Sequence, residues 1–272
     1  MGPPVRRPRC AWEEAVAAAI HVELHGRGEP LVLVHGLGGT GAAIWKHLIG
    51  PLADEYAVAV YDLRGSGRSA VLPGPATIED HADDLQELLE LLEFDRVRFV
   101  GHSLGGSIVL RFAADHLERV VAAASVAGPA EFVDETRAAL RARADTVEAE
   151  GMPAVARAVA TNGMAPAFRE ANPEKLEAYV ELLEANDVAG YAAQCRGLAE
   201  LDLAESLGRI EAPVLLVGGE LDGVVPPAAG ERIAARISRS EHRLLEGCGH
   251  IIPWEQPDEL LALLRPFLAT SA

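Results

Sequence analysis

Cysteines are scarce in this chain of 272 residues. There are three, Cys10, Cys195 and Cys248, and their odd number and wide spacing indicate neither a disulfide framework nor a metal site. We expect Cys248 to be a small packed residue rather than a nucleophile. The low cysteine content favours a cytoplasmic protein in a reducing compartment.

Basic residues and long apolar runs are also in short supply. The chain has 24 Lys and Arg against 41 Asp and Glu, a formal net charge of -17, which repels phosphate backbones and anionic membranes. The apolar run at 15–20 follows two glutamates and is short for the core of a signal peptide, and no segment approaches a membrane-spanning length. We therefore expect a small-molecule partner, and neither nucleic acid nor a membrane.

Hydrophobic residues make up 49% of the chain, enough to bury the core of one large α/β domain or of a domain with an insertion. Short apolar runs alternate with amphipathic stretches. Strands are predicted at 17–24, 31–34, 56–61, 97–100, 120–126, 214–217 and 241–245, and helices at 43–53, 77–93, 228–237, 257–268 and directly after the fourth strand. This alternation predicts a parallel sheet with right-handed crossovers.

The rhythm changes between residues 129 and 205. This stretch has no β-branched run, and proline-containing breaks divide it into four or so helical segments. It is too long for a loop and too poor in strands to extend the sheet. We expect a helical lid at 129–205 inserted into a core formed by 1–128 and 206–272.

The fourth strand runs directly into Gly101-His102-Ser103-Leu104-Gly105. This is a G-x-S-x-G sequence between a buried strand and a helix, the context that a nucleophile elbow requires. The two glycines allow the close backbone approach of such a turn, which leaves Ser103 exposed above the helix N-terminus. Ser103 is therefore the candidate nucleophile.

The second strand runs into the glycine-rich stretch His35-Gly36-Leu37-Gly38-Gly39. In an elbow enzyme one oxyanion donor is the N–H after the nucleophile, and the other comes from the loop after this early strand. We assign these donors to Leu104 and Leu37. A phosphate cradle is the alternative, but neither a Walker lysine nor a G-x-G-x-x-G is present.

Two further polar residues follow later strands, Asp222 after the strand at 214–217 and His250 after the last strand. The chain order Ser103, Asp222, His250 is the one expected for an elbow hydrolase. His250 would take the serine proton, and Asp222 would fix the imidazole tautomer and stabilise the imidazolium.

Other candidates near these loops are given structural roles. Asp62, Ser66 and Ser69 lie in a glycine-punctuated loop, where polar side chains mostly bond the local backbone. His102 should point away from the catalytic position at the turn, and His35 belongs to the oxyanion loop.

Taken together, these motifs resemble those of the α/β-hydrolase superfamily over residues 31–268: the HG-x-G loop, the D-x-R-G-x-G-x-S loop, the elbow, the acid loop and the G-x-G-H loop. The resemblance implies a mostly parallel sheet of about eight strands with helices on both faces, a lid at 129–205 and no cofactor. It does not define the substrate or the oligomeric state.

Two segments resemble particular groups in this superfamily. Residues 190–196, GYAAQCR, and the Ala-Glu-Leu-Asp-Leu that follows resemble the lid exit of 3-oxoadipate enol-lactonases, whereas residues 249–255, GHIIPWE, resemble the C–C bond hydrolases of meta-cleavage products. The chain departs from the C–C hydrolases at His102, where they usually have asparagine, and in a loop at 38–41 that lacks their proline. Metal-free haloperoxidase-like esterases and a non-catalytic binding protein remain alternatives.

The sequence thus predicts a serine hydrolase that cleaves a small carboxylic ester or lactone through an acyl-enzyme. An enol-lactone with a free carboxylate would need a local cation in so acidic a protein. Arg196 is the candidate because it lies in the enol-lactonase-like segment, although a solvated surface arginine is nearly as good an interpretation. Trp254 and His102 are further candidate substrate-binding residues.

Overall fold

The computed structural model describes residues 20–269. Its sheet has seven strands, in spatial order β1-β3-β2-β4-β5-β6-β7. Only β1 is antiparallel to its neighbour. The strands are β1 Val22–His25, β2 Glu29–Val34, β3 Tyr56–Tyr61, β4 Val97–His102, β5 Val120–Val126, β6 Val214–Gly219 and β7 Ser240–Leu245.

Helices connect the strands and cover both faces of the sheet. The α-helices are α1 Gly41–Trp45, α2 Ile49–Ala53, α3 Ile78–Leu91, α4 Leu104–Asp115, α5 Asp134–Glu150, α6 Pro153–Gly163, α7 Pro166–Ala171, α8 Pro173–Glu184, α9 Val188–Ala199, α10 Pro227–Ala234, α11 Ile252–Glu255 and α12 Pro257–Leu268. Short 3-10 helices lie at Leu117–Arg119 and Leu207–Arg209.

The core lies on both faces of the sheet because successive strand residues point to opposite sides. In β2, Val32 and Val34 pack into a cluster with residues of α3 and α4. Leu31 and Leu33 pack into the opposite cluster, which includes residues of α1, α2 and α12. Both faces are buried, as an almost wholly parallel sheet requires.

Most of the predicted elements are confirmed. The strands at 56–61 and 120–126 and the helix at 257–268 have the predicted bounds. Thr77 forms the predicted N-terminus of α3, where its side chain and that of Asp80 form a capping box. The strand predicted at 17–24 is Val22–His25 in the structure, and residues 17–19 lie outside the described residues. The predicted fold is confirmed, with seven strands rather than about eight between residues 20 and 269.

The single helix predicted at 43–53 is wrong. The structure has two short helices, α1 and α2, and residues 46–48 lie between them. Pro51 explains the break, since its ring would clash with the carbonyl four residues earlier in a continuous helix and it has no N–H to donate. The predicted apolar side is nevertheless buried, because Trp45 and Leu52 are fully covered.

Residues 129–205, here called the helical insertion, contain helices α5 to α9 and no strand. An isolated antiparallel bridge between Glu131 and Asp202 joins its two ends. The chain therefore leaves the sheet after β5 and returns to it before β6 at one place.

Candidate active site

Ser103 lies at the turn from β4 into α4 with strained backbone angles, φ 52° and ψ -117°. The turn is tight: a Cβ on Gly105 would lie 2.6 Å from the His35 carbonyl oxygen, and one on Gly36 would lie 2.9 Å from Ser103 Cβ. A Cβ on Gly101 would likewise clash with the Gly105 backbone, at its carbonyl oxygen. Only glycine fits at these places, so the sequence of the elbow is set by packing as well as by chemistry.

The structure brings the three predicted side chains into hydrogen-bond contact. His250 Nε2 lies 2.9 Å from Ser103 Oγ, and His250 Nδ1 lies 2.8 Å from Asp222 Oδ2. Ser103 is half-buried, whereas the side chains of His250 and Asp222 are only 6% and 1% exposed. The arrangement leaves the serine open to a ligand while it keeps water away from the pair behind it.

Asp222 is held in place from two sides. Its Oδ1 accepts hydrogen bonds from the Val224 and Val225 N–H groups, both at 2.8 Å, so Oδ2 is left for His250. Burial alone would raise the pKa of Asp222, but the attraction of His250 and these hydrogen bonds outweigh it and lower the pKa below its ordinary value. The carboxylate is therefore ionised at neutral pH, and it is placed where it would stabilise a positive charge on the imidazole.

The predicted oxyanion donors lie where β2 and β4 end. Leu104 is the first residue of α4, whose N–H has no acceptor within the helix. The loop that carries Leu37 is fixed by His35, which contacts the Gly36 carbonyl oxygen through Nδ1 and accepts from the Leu63 N–H through Nε2. Burial lowers the pKa of His35, so its ring stays neutral and keeps this tautomer.

The loop after β3 is structural in its contacts. Asp62 accepts from the Gly41 and Arg68 N–H groups, and the Ser69 hydroxyl donates to the Asp62 carbonyl oxygen. Ser66 differs from the expected local pattern, because its hydroxyl accepts from Gln194 of the helical insertion. Gln194 also donates to the Arg64 carbonyl oxygen, so this loop is a docking point for α9.

A cavity of about 690 Å³ opens over the serine. It lies between the carboxyl edge of the sheet and the helical insertion, which is where open α/β sheets bind ligands. Its wall includes Leu37, Ser103 and His250 from the edge and Arg143, Tyr179 and Tyr191 from the insertion.

Of the candidate substrate-binding residues, the structure brings only His102 to the cavity. Its Nε2 lies 2.9 Å from the His250 carbonyl oxygen. Burial, together with the nearby His250, lowers the pKa of His102 to about 3, so it is a neutral packing group beside the histidine loop.

Trp254 and Arg196 lie outside the cavity wall. Trp254 is buried, donates from Nε1 to the Ala43 carbonyl oxygen and packs edge-on against Tyr179, which does reach the cavity. Arg196 is on the outer side of α9 and forms ion pairs with Asp145 and Glu148 of α5. The structure thus gives Arg196 the alternative role of a surface arginine.

Sequence reasoning missed Glu255, which is buried beside the histidine loop. Its carboxylate accepts from the Gly249 and Ile251 N–H groups on either side of His250, and from the Ala165 N–H of the helical insertion. Burial raises the pKa of Glu255, although the three hydrogen bonds oppose the shift. An acid directly after the apolar stretch at 251–254 is the signal that could have found it.

Sequence reasoning also missed Arg143 of α5, which lines the cavity. Leu140, Ala144 and Val147 form the buried stripe of this helix, and Arg143 falls within their i, i+3, i+4, i+7 spacing. Arg137, three residues before Leu140, falls on the same stripe, so this spacing does not distinguish Arg143 from Arg137.

The site has a serine on a strained strand-to-helix turn, a histidine that is hydrogen-bonded to the serine, and an aspartate that is hydrogen-bonded to the histidine. The histidine and the aspartate follow later strands of the same mostly parallel sheet. This arrangement defines the α/β-hydrolase class. The chain belongs to the α/β hydrolase fold family, whose model matches residues 29–257.

Known proteins agree with this assignment. The chain is 33% identical to 3-oxoadipate enol-lactonase 2 of Acinetobacter baylyi over 84% of each chain. It is similar to the solved structure of a thermophilic esterase from Thermogutta terrifontis, with a TM-score of 0.87 and 30% identity over 92% of each chain. The enol-lactonase from Burkholderia xenovorans has the same TM-score, 0.87, with 28% identity over 92% of this chain and 96% of that one.

Between residues 20 and 269, no helix is both long enough and apolar enough to cross a membrane.

Proposed function

We propose that this protein is a serine hydrolase that cleaves small carboxylic esters or lactones through an acyl-enzyme. The observation that carries the proposal is the continuous contact from Asp222 through His250 to Ser103, with Ser103 open to the cavity. The relatives named for esterase and enol-lactonase activities support the same reaction class.

In the first half-reaction Ser103 Oγ attacks the substrate carbonyl while His250 Nε2 takes the serine proton. The Leu37 and Leu104 N–H groups donate to the oxyanion that forms. When the tetrahedral intermediate collapses, the bond to the leaving oxygen breaks and His250 returns the proton to that alcohol or enol. Asp222 stabilises the imidazolium throughout.

In the second half-reaction water attacks the acyl carbonyl and His250 takes a proton from it. Collapse releases the carboxylate product and returns the proton to Ser103. With a lactone the leaving oxygen belongs to the same molecule, so the opened product stays esterified to Ser103 until this step. An enol released in this way becomes a ketone.

The substrate class is proposed to include enol-lactones such as 3-oxoadipate enol-lactone. The helical insertion acts as the lid, because α5 and α6 supply much of the cavity wall opposite the serine.

A fluorophosphonate probe tests the reaction class, since it labels only an activated serine. We expect stoichiometric labelling of Ser103 in the wild type and none in the Ser103→Ala and His250→Ala variants. Hydrolysis of p-nitrophenyl acetate, α-angelica lactone and 3-oxoadipate enol-lactone should be lost in the same variants. A wild-type protein that is neither labelled nor active on any of the three contradicts the proposed function.

A further inference from the structure

Arg143 is half-buried on α5 and lines the cavity that contains Ser103 and His250. Within the described part of the chain it is the one Lys or Arg in the cavity wall. The cavity wall has one acid, Glu135, eight residues earlier on the same helix. At 1.5 Å rise per residue the two backbone positions are about 12 Å apart, so they mark different ends of the cavity.

Arg143 differs from the other arginines of the helical insertion in its partners. The others pair with carboxylates or backbone carbonyl oxygens of the protein: Arg137, Arg141, Arg157, Arg169 and Arg196. Arg143 instead approaches the Tyr191 hydroxyl and the Cys195 thiol, and it forms no ion pair with an acid among residues 20–269.

Both neighbours of Arg143 are neutral. Burial raises the pKa of the Tyr191 hydroxyl, and it raises the pKa of the Cys195 thiol to about 12. The positive charge of Arg143 is therefore not compensated by the side chains against which it packs. A partly desolvated guanidinium without a carboxylate favours an anion from outside the chain, preferably one that accepts two hydrogen bonds.

Tyr191 connects this cation to the reacting centre. The Tyr191 ring lies against the oxyanion loop, since a Cβ on Gly38 would be 3.0 Å from Tyr191 Cε2. Arg143, which lies near the hydroxyl end of the same ring, is on the insertion side of the cavity, one side chain away from that loop. An anion bound there would belong to the part of the substrate remote from the scissile carbonyl.

We propose that Arg143 binds a free carboxylate of the substrate and selects anionic lactones and half-esters over neutral ones. This inference rests on the proposed function, because it assigns the substrate class of that same site. The net charge of -17 opposes the approach of an anionic substrate, and the positive charge of Arg143 offsets this repulsion locally at the cavity.

The test compares two lactones that differ in one group. 3-Oxoadipate enol-lactone carries a carboxymethyl group where α-angelica lactone carries a methyl group. The measured quantity is the ratio of kcat/KM for the anionic lactone to that for the neutral one. Because a charge-assisted hydrogen bond is lost, Arg143→Met should lower this ratio about tenfold or more, mainly through KM. Arg143→Lys, which keeps the charge without the planar fork, should fall between Met and wild type.

Two matched variants serve as controls. Arg196→Met removes a paired arginine outside the cavity and should leave the ratio unchanged. Glu135→Gln removes the one acid of the cavity wall and should leave the ratio unchanged or raise it.

The inference is overturned if Arg143→Met, or Arg143→Lys should the Met variant not fold, lowers kcat/KM equally for both lactones or for neither. A wild-type ratio near one would overturn it as well. In each of these cases Ser103 labelling and turnover of α-angelica lactone persist, which separates this failure from failure of the proposed function.

Discussion

The carboxyl edge of the sheet and the outer surface of the helical insertion hold their charged groups in opposite ways. At the edge, Asp222 and His250 are almost fully covered, and each has a partner 2.8 or 2.9 Å away. On the insertion, the Arg157–Glu177 pair has both side chains more than half exposed. Buried pairs are fixed and costly to break, whereas exposed pairs are screened by water and salt.

This contrast indicates that substitutions at the carboxyl edge should strongly affect catalysis. Substitutions on the outer surface of the insertion should have little effect on stability. Between the two lies Glu255, a buried carboxylate that joins the histidine loop to the insertion.

The largest effect is expected at the edge itself. Ser103→Ala should lower kcat for p-nitrophenyl acetate by roughly a thousandfold or more, since only the oxyanion donors and binding would remain. His250→Ala should be comparably severe. The circular dichroism spectrum should not change in the serine variant, because its hydroxyl faces the cavity. Activity above a tenth of wild type in either variant would contradict the assignment.

A second prediction separates Asp222 from the nearby Glu220. In Asp222→Asn the amide oxygen keeps the two N–H groups of the acid loop, so the amide NH₂ faces His250 Nδ1 and stabilises the wrong tautomer. We expect kcat to fall by roughly 10²- to 10⁴-fold with little change in KM.

Glu220→Gln is the matched control, because among residues 20–269 that exposed carboxylate accepts from the Gly247 N–H alone. It should change kcat by less than about threefold. Steady-state kinetics on one ester measures both variants, and the reverse ranking would show that the acid has been misassigned.

Glu255 should show an intermediate effect, because it positions His250 without contacting the substrate. In Glu255→Gln one N–H of the three that the carboxylate binds would face an amide NH₂. If the loss loosens the histidine loop by about 1.4 kcal/mol in the transition state, kcat falls tenfold.

The control for this variant is Glu259→Gln on the exposed side of α12, which should behave as wild type. Glu255→Asp should recover part of kcat. A lower melting temperature with unchanged kcat would assign Glu255 to stability alone.

The residues of the edge were predictable because their signals are local. Ser103, Asp222 and His250 each follow a recognisable strand within a glycine-marked loop, and parallel strands bring their carboxyl ends to one edge. The wall of the insertion was not predictable in this way. Whether Arg143 or Arg196 reaches the cavity depends on how α5 and α9 are rotated against the sheet, and α5 carries charged residues on most of its sides.

Trp254 shows the same limit. Its position four residues after His250 places it near the site in sequence, but α11 turns its ring into the core against Tyr179. Proximity to His250 along the chain therefore did not predict whether the Trp254 ring reaches the cavity. The direction of the ring depends on tertiary packing, which no local sequence pattern reports.

The smallest effect is expected at Arg196. Its side chain is 35% exposed, and those of its partners Asp145 and Glu148 are 73% and 48% exposed. Because such pairs are worth little in water, Arg196→Met should lower the melting temperature by less than about 3 °C at low ionic strength and leave it unchanged in 0.5 M NaCl, where exposed charges are screened. Values of kcat and KM for both lactones should match those of the wild type at either salt concentration. Thermal unfolding at the two salt concentrations measures the change in melting temperature. A severalfold rise in KM for the anionic lactone alone would instead show that Arg196 binds the substrate, and it would contradict the distinction between the two regions.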